Sequence, residues 1–395
     1  MTFRRAARTP QHTAGPEQQV LRLQQAVGNR GLGRMLARQP VDDVEILDDL
    51  LDATQVTKAI RFYTAQPDRY PADIMLQIQA AVGAGETGVA DEETVQAVAR
   101  WQAADGSNDP ALKVDGMAGP RTLPRMFTSG LNAAGEAAAF GEEAQTGVID
   151  QWQGLTPTER ATELVRLVND HLTTAGVPAV VANPKDTGND AGAFDFATWQ
   201  MEIGLPALSQ DQLTRDQAAD IVDTIYHEAR HAEQWFRMAQ LRAGQGRTGA
   251  QITTELGIPA NIAAAAVAAP LDPGSMRALI AQGWYDSVYG SGSDARNRTL
   301  QEVEDADTAR KAAAKRFKAN PTAANQTALN AAVERFHRAH DAYRNLPEEN
   351  DAWATGPQTG AGVTHGSPPP PPPPPSGPSA AALLRSLGGL TGTST

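Results

Sequence analysis

The spacing of apolar residues along the chain predicts a mainly helical protein. In several long stretches apolar positions recur every three to four residues, the period of a helix with one buried face. These stretches are 42–62, 158–175, 212–245, 249–285 as two shorter helices, and the polar, alanine-rich 293–345 as a helical pair that turns at Asn320-Pro321.

Two short segments are β-like. Val177–Ala182 holds three valines, and Ala193–Ile203 carries Phe, Trp, Met and Ile side chains, residue types that are common in strands. Both lie between the helix at 158–175 and the long helix at 212–245. The sequence therefore predicts an α+β domain, which we place at 158–356.

A compact three-helix pattern occupies residues 72–127. Apolar residues up to Val82 precede a glycine-rich turn, and Asp91 is placed to cap a second helix that continues through Trp101. A turn at Asp115-Gly116, which favours a positive φ, leads to a third helix through Leu123.

The remaining segments differ in composition from these helical regions. Residues 1–16 are predicted to be disordered, 17–38 form an amphipathic helix that needs a partner, and the eight consecutive prolines at 368–375 predict a stiff polyproline II spacer. The predicted division is 1–40 as a disordered or helical segment, 41–130 as a small helical module, 131–157 as a linker, 158–356 as the main domain and 357–395 as a low-complexity, proline-rich tail.

Composition narrows the classes of function. The net charge of −12 argues against nucleic-acid binding, and the absence of cysteine excludes disulfides and thiolate metal ligands. A metal ion would have to be bound by His, Asp or Glu. No run of 18 apolar residues exists, so no membrane span is expected, and the arginine-rich start lacks the apolar segment of a conventional secretory signal.

The strongest chemical pattern is His227-Glu228-Ala229-Arg230-His231. On a helix the two histidines lie on one face, about 5–6 Å apart at Cβ, which suits one metal ion. Glu228 can then reach a metal-bound water, whose pKa zinc lowers towards roughly 7. Apolar residues before His227 predict that this helix is buried, and buried charges need a compensating partner. The alternative is an ordinary solvated helix face.

This five-residue pattern resembles the active-site helix of zincin metallopeptidases. The resemblance implies a zinc-dependent peptide hydrolase with His227 and His231 as zinc ligands and Glu228 as the general base. The pattern of the metzincin subgroup, which continues with Gly and His, is absent. Glu255 is the one glutamate near the spacing found in thermolysin-like enzymes.

A better third ligand lies in the segment from Tyr343 to Trp353. It looks like the Tyr…Pro-x-Glu-x-Asp-Ala signature that follows the active-site helix in several bacterial zincin-like families. Glu349, which shares a helix face with Trp353, is the expected ligand, with Glu348 as the runner-up; an ordinary acidic helix start is the alternative. By analogy Tyr343 would donate a hydrogen bond to the oxyanion. The nearby His337 and His340 either join the site or lie on an exposed face.

The three-helix pattern resembles the peptidoglycan-binding module of many cell-wall enzymes. The matching residues are I78-Q79-x2-V82-G83, T87-G88-V89-A90-D91-x2-T94-V95-x-A97-V98-x2-W101-Q102 and V114-D115-G116-x2-G119-x2-T122. The resemblance implies three helices packed around Trp101. Peptidoglycan is then a candidate partner through residues 72–127, although a module retained for structure alone explains the pattern equally well.

The segment at 17–38 resembles a short motif of proteins associated with extracellular contractile injection systems. The similarity rests on Leu21-x-Leu-Gln24-Gln25-Ala-Val27-Gly28-Asn29-Arg30 and the residues up to Leu36. It implies a cargo or effector that is made in the bacterial cytoplasm, contacts the tube proteins of the particle, and is exported without a conventional signal peptide.

Three functions are compatible with these patterns. The first is a metallopeptidase effector that cuts a protein or peptide substrate, and the second is a hydrolase of peptidoglycan peptides. The third is a non-catalytic adaptor of the injection particle, although an intact Glu228 would then have no task. Cleavage of casein, release of soluble muropeptides, or co-purification with tube proteins alone would distinguish them.

Overall fold

The computed structural model describes residues 49–106, 112–186 and 191–369 of the chain. Within these ranges the protein has fourteen α-helices and one three-stranded sheet, which confirms the predicted mainly helical fold. None of the described helices combines the length and the apolar character that a membrane crossing requires. The segments predicted at 1–16 and 17–38, and most of the proline run, lie outside the described residues.

Four helices form the N-terminal module. They are α1 (Ala53–Thr64), α2 (Ala72–Val82), α3 (Glu92–Gly106) and α4 (Leu123–Met126). The carboxylate of Asp52 caps α1 by accepting hydrogen bonds from two backbone N–H groups of the first turn. Asp91 does the same for α3, where its Oδ1 lies 2.9 Å from the backbone nitrogen of Thr94, as the sequence predicted.

Two buried glutamines organise the turns of this module. Gln79 and Gln102 are almost completely inaccessible, and each amide bonds the turn that follows its own helix. The partners are Thr87, Gly88 and Thr94 for Gln79, and Asp115, Gly116 and Thr122 for Gln102. Trp101, expected at the centre of the module, is only half-buried, because its neighbour Gln102 faces the interior instead.

Residues 131–157, predicted to be a linker, are folded and contribute to the core. They contain α5 (Glu136–Ala144), followed by a π-helical turn and a 3-10 turn. Phe140 and Trp152 are fully buried. The small residues that suggested a linker allow close packing instead, since a Cβ on Gly141 would lie 2.2 Å from the carbonyl oxygen of Thr359.

The next elements are a helix and the sheet. Helix α6 (Pro157–Thr174) precedes β1 (Val181–Lys185), β2 (Gly192–Asp195) and β3 (Gln200–Gly204). The strand order is β1-β3-β2, with β1 parallel and β2 antiparallel to β3, so β2 is an edge strand.

Both strand predictions needed correction. The first strand begins at Val181 rather than Val177, and the segment Ala193–Ile203 is split into β2 and β3 by a tight turn. Asp195 forms this turn, because its carboxylate accepts hydrogen bonds from the backbone of Ala197 and the hydroxyl of Thr198.

The helix that carries His227 and His231 is the central element of the fold. After the short α7 (Leu205–Leu208), helix α8 (Arg215–Gly244) begins at a capping box between Thr214 and Gln217. Its residues from Ile225 to Leu241 are all buried. A helix that is covered on every side belongs to the interior of the molecule, as the apolar residues before His227 predicted.

The described residues after α8 form helices and no strand. Residues 249–288 form three helices rather than the two predicted over 249–285, because Gly257, with φ +69°, ends the first one early. The predicted helical pair turns at Asn320-Pro321. The elements are α9 (Gly249–Leu256), α10 (Ala260–Ala268), α11 (Met276–Val288), α12 (Ser293–Ala319), α13 (Ala323–Arg344), α14 (Pro347–Thr355) and a 3-10 segment, Gly356–Ala361.

One hydrophobic core extends through the module and the main helical region. It begins with Leu51 before α1 and ends with Val363 after the last 3-10 segment, so residue 130 marks no break in the packing. The α12–α13 hairpin has a small cluster of its own near its base, which includes Tyr343. An ion pair between Arg69 of the module and Asp286 of α11, 2.9 Å long, also joins the module to the main helical region.

Candidate metal centre

The two histidines of the sequence pattern converge on α8. His227 and His231 are one helical turn apart, and their Nε2 atoms lie 3.2 Å from each other. Both side chains are buried, with 1% and 7% of their residue surface exposed. The rings meet edge to face, with their centroids 4.8 Å apart.

Glu349 completes a group of three ligands. It lies in the first turn of α14, 118 positions after His231, and the α12–α13 hairpin accounts for part of that separation. Its Oε2 is 3.8 Å from Nε2 of His227 and 3.6 Å from Nε2 of His231. This buried trio could bind a metal ion, and within the described ranges it is the one cluster of this kind.

The distances agree with a single ion. Donors about 2.0–2.1 Å from a tetrahedral ion lie about 3.3 Å apart, close to the separation of the two histidine nitrogens and slightly less than their distances to Glu349. The Oε2 atom of Glu349 is buried and has no hydrogen-bond partner, which is unfavourable unless a cation compensates it. Two imidazoles and a carboxylate suit zinc and several other divalent transition metals.

The charges of His231 and Glu349 stabilise each other. Burial alone would lower the pKa of His231, but the carboxylate of Glu349 outweighs this and raises that pKa to about 9. Burial would also raise the pKa of Glu349, yet the two histidines hold it well below its ordinary value. In the metal-free protein a proton on His231 therefore balances the negative charge of Glu349.

Gln234 fixes the orientation of His231. The Oε1 atom of Gln234 lies 2.8 Å from Nδ1 of His231, and its amide nitrogen donates to the backbone carbonyl of Glu348 and to Asp351, both at 2.8 Å. Because both amide protons are used there, the oxygen must accept the Nδ1–H of the ring. Neutral His231 then keeps its lone pair on Nε2, the atom that faces Glu349.

Four consecutive polar side chains in the first turn of α14 are buried, and only Glu349 faces the histidines. Each of the others is bound by a different part of the molecule. The pairs are Glu348 with Arg296 at 2.6 Å, Asn350 with Arg125 at 3.2 Å, and Asp351 with Arg230 at 2.8 Å. These contacts hold the turn on three sides and leave Glu349 as its one carboxylate aimed at the two imidazoles.

The other two carboxylates considered as third ligands are engaged elsewhere. Glu348, the runner-up, is completely buried and its Oε1 pairs with Arg296 at the base of the α12–α13 hairpin. Glu255 lies on α9, where it pairs with Arg242 at 2.8 Å and accepts a hydrogen bond from the Tyr285 hydroxyl. Neither belongs to the cluster around His227 and His231.

Glu228 is held against the sheet, beside the ligands. Its Oε2 accepts a hydrogen bond from the backbone N–H of Phe194 on the edge strand β2, at 2.9 Å. The strand lies directly on the helix, since a Cβ on Gly192 would come within 3.0 Å of Thr224. The carboxylate that follows His227 in the chain is thus bound to the backbone of the buried strand β2.

Tyr343 lies at the end of α13, against the same group. Burial, the negative charge of Glu349 and a hydrogen bond with Glu349 raise the pKa of Tyr343 well above its ordinary value. The phenol therefore keeps its proton and can act as a donor. His340 packs between the rings of Tyr343 and Trp353, and burial lowers its pKa; neither it nor His337 joins the ligand cluster.

A buried ion network behind the histidines was not predicted from the sequence. Arg230 pairs with Asp351 and, at 2.6 Å, with Glu233, whose other oxygen bonds Arg237 at 3.0 Å. Burial acts to lower the pKa of Arg230, but Asp351 and Glu233 raise it above its ordinary value. The i, i+3 and i+4 spacing on α8 was the available signal, although such spacing is commonly found on solvated helix faces.

Comparisons of the chain with protein families, with curated proteins and with solved structures found no match.

Proposed function

We propose that the protein is a zinc-dependent metallopeptidase. The observation that carries this proposal is the approach of the partnerless Glu349 oxygen to the Nε2 atoms of His227 and His231, with Glu228 following His227 on the same helix. The resemblance of residues 227–231 to the active-site helix of zincins is the reason for proposing peptide-bond hydrolysis as the reaction. His227, His231 and Glu349 would bind the ion.

Each side chain has a distinct task in this proposal. A bound zinc ion would supply Lewis acidity and lower the pKa of the attacking water towards roughly 7. Glu228 accepts a proton from this water and then transfers it to the nitrogen of the leaving amine as the C–N bond breaks. An extended peptide that paired with the edge of β2 would have to take over the N–H of Phe194, which Glu228 accepts in the free protein.

Tyr343 would stabilise the oxyanion that forms on the carbonyl oxygen. Its raised pKa keeps the phenol protonated at neutral pH, as a hydrogen-bond donor requires. In the free protein the hydroxyl interacts with Glu349, so this donor is already placed next to a proposed zinc ligand.

The direct test is proteolysis of casein, with self-cleavage as a second readout, by zinc-loaded protein and its Glu228→Gln variant. The variant should retain zinc and lose at least about 100-fold in kcat/KM, the usual contribution of a general base. Glu255→Gln, which alters a carboxylate outside the cluster, should keep full activity. Absence of any peptide cleavage by the zinc-loaded wild type, or full activity of Glu228→Gln, would refute the proposal.

A second candidate substrate is the peptide portion of peptidoglycan. The observation that favours it is that the module resembling peptidoglycan-binding domains shares one core with the helix that carries the histidines. A wall fragment bound by this module would then lie on the same rigid body as the metal centre. Release of soluble muropeptides from purified cell walls, absent with Glu228→Gln, supports this substrate; casein cleavage without muropeptide release excludes it.

We also propose that the enzyme is an effector carried by a contractile injection particle. This proposal rests on the motif-like residues 17–38, which would contact the tube proteins and provide export without a conventional signal peptide. Deletion of residues 17–38 should abolish co-sedimentation with assembled particles. A variant that still co-sediments would show that other residues load the protein, and a chain that co-sediments but has no zinc or hydrolase activity would be an adaptor.

A further inference from the structure

The segment that leaves the N-terminal module packs against the back of the metal centre. We call residues 123–132, which comprise α4 and the 3-10 turn after it, the brace. Its contacts with α8 and α14 are made largely through backbone atoms. They join the Ser129 carbonyl to Arg230 at 3.3 Å, the Leu131 N–H to Glu233 at 3.0 Å, the Leu131 carbonyl to the Tyr226 hydroxyl at 2.8 Å, and the Asn132 amide to Asp351 at 3.3 Å.

The brace lies so close to α8 at Gly130 that no side chain would fit between them. Gly130 adopts a φ of +61°, and a Cβ built there would lie 1.9 Å from Oε1 of Glu233. Both the conformation and the contact therefore require glycine. Because interiors are close-packed, a shift of the brace would be transmitted to the ion network of Arg230, Glu233 and Asp351.

Arg125 connects the brace to the turn that carries Glu349. Its Nη1 bonds Asp105 at the end of α3, and its Nη2 bonds the side chain of Asn350, each at 3.2 Å. Only 9% of the Arg125 side chain is exposed. The planar guanidinium thus ties a module carboxylate to the residue that directly follows Glu349, which holds the turn at a fixed distance from the module.

The same turn is tied to His231 from its other side. Asp351 accepts a hydrogen bond from the Gln234 amide, and Gln234 in turn accepts the Nδ1–H of His231. Asn132 of the brace also bonds Asp351. The module therefore contacts the first turn of α14 at Asn350 and Asp351, on the two residues that follow the proposed ligand.

We propose that Arg125 is a positioning residue of the metal centre, and that the module is a structural part of this centre rather than a detachable targeting domain. Arg125 acts through Asn350, the residue after Glu349, and so fixes the backbone from which Glu349 reaches the histidines. The inference rests on the proposed metal site, but it concerns metal affinity and not the reaction or the substrate.

The test compares two module arginines that both bond the main helical region. Arg125→Gln removes the bond to the turn that carries Glu349, whereas Arg69→Gln removes the ion pair with Asp286 on α11, a helix that carries none of the proposed ligands. Zinc affinity is measured by competition with a chromophoric chelator. We expect about tenfold weaker zinc binding for Arg125→Gln, which is at the low end of the losses in metal affinity caused by mutating residues that support metal ligands. For Arg69→Gln we expect less than a twofold change in zinc affinity.

A spectroscopic readout separates positioning from general destabilisation. The thermal midpoint of the metal-free protein should fall in both variants, since both lose a partly buried interaction. The visible spectrum of the cobalt-substituted protein reports ligand geometry and should change only in Arg125→Gln. In a double-mutant cycle, Asn350→Ala should weaken zinc binding by a similar factor, and the double variant by little more than either single change.

The outcomes distinguish this inference from the proposed function. If the wild type binds zinc and Arg125→Gln binds it equally well, Arg125 is not a positioning residue. The proposed metal site is not contradicted by that result. Equal losses of zinc affinity in Arg125→Gln and Arg69→Gln also overturn it, because the effect would then be general. No zinc binding by the wild type refutes the metal centre itself. Weaker binding confined to Arg125→Gln and Asn350→Ala supports the inference.

Discussion

At the scale of residues, the candidate metal site is a group of buried side chains whose charges must compensate one another. Glu349 is ionised in an interior position, and its Oε2 faces the Nε2 atoms of His227 and His231. A protonated His231 compensates this charge in the metal-free protein, and a divalent cation would do so in the loaded one. Proton binding and metal binding at His231 are therefore mutually exclusive.

This competition predicts how the stability of the metal-free protein depends on pH. The pKa of His231 is raised from 6.5 to about 9, so its pairing with Glu349 contributes fully below about pH 6.5. That contribution is lost as the pH rises through about 9. The thermal midpoint in chelator should fall between pH 6.5 and 9.5 more steeply in the wild type than in His231→Gln. Parallel curves would show that His231 carries no proton in the folded state.

Gln234 provides a second prediction at this scale. Gln234→Leu removes the acceptor for Nδ1–H of His231 and should weaken zinc binding by about 10–100-fold. Gln240→Leu is the matched control, because Gln240 is also buried on α8 and bonds Arg237 and the Ala269 carbonyl instead. Both changes should lower stability. If both also lowered zinc affinity equally, the orienting role of Gln234 would be wrong.

At the scale of elements, the 3-10 segment after α14 packs against α8 at His227. Gly356 is buried there, and a Cβ on it would lie 2.2 Å from Oδ1 of Asp223 and 3.3 Å from Cβ of His227. Four residues later, a Cβ on Gly360 would meet no atom within 4 Å. An added methyl group would therefore clash at position 356 and meet no other atom at position 360.

The two glycines form a matched pair for mutagenesis. Neither has a positive φ, so alanine at either position tests packing rather than backbone strain. Gly356→Ala should destabilise the protein by about 1–3 kcal/mol and weaken zinc binding, because His227 or Asp223 must move. Gly360→Ala should stay within about 0.5 kcal/mol of the wild type in chemical denaturation. A neutral Gly356→Ala would contradict the close packing on His227.

The elements differ in how far the sequence predicts them. Helix α8, the α12–α13 hairpin and the start of α14 at Pro347 follow from periodicity and capping residues. The pattern at 227–231 and the acidic helix start also predicted the residues that the fold brings together. The division of Ala193–Ile203 did not follow, because it depends on the local hydrogen bonds of Asp195.

Contacts between distant segments were beyond prediction for a physical reason. Arg125, Asn132 and Arg296 approach the first turn of α14 from two different regions of the chain, and no local period encodes such pairings. The alanine and glycine content of 131–157 was likewise ambiguous, since small residues occur both in linkers and where helices approach closely.

At the scale of the whole molecule, the module and the helices around α8 share one core rather than forming independent units. The module, the helices around α8 and the C-terminal 3-10 segment all contribute to it. The α12–α13 hairpin has its own cluster, and its base delivers Tyr343 and Arg296 to the metal centre. The module, α8 and the hairpin thus each supply a side chain that binds the first turn of α14, namely Arg125, Gln234 and Arg296.

Because the module and the α8 region share one core, we expect them to unfold cooperatively. Scanning calorimetry of the wild type should show one unfolding transition for the module and the α8 region together. A chain without residues 1–130 should lose both this transition and zinc binding, because it lacks Arg125, most of the brace and the apolar residues of α1 to α4. A truncated chain that folds and binds zinc with wild-type affinity would show that the module is an independent domain.

The central claim is tested most directly by elemental analysis for zinc. Wild-type protein is reconstituted at neutral pH and compared with Glu349→Gln and with Glu348→Gln, which alters the adjacent buried carboxylate that pairs with Arg296. The account predicts one zinc per chain in the wild type, retention in Glu348→Gln and loss in Glu349→Gln. A wild type without zinc, or a Glu349→Gln variant with full zinc content, would contradict it.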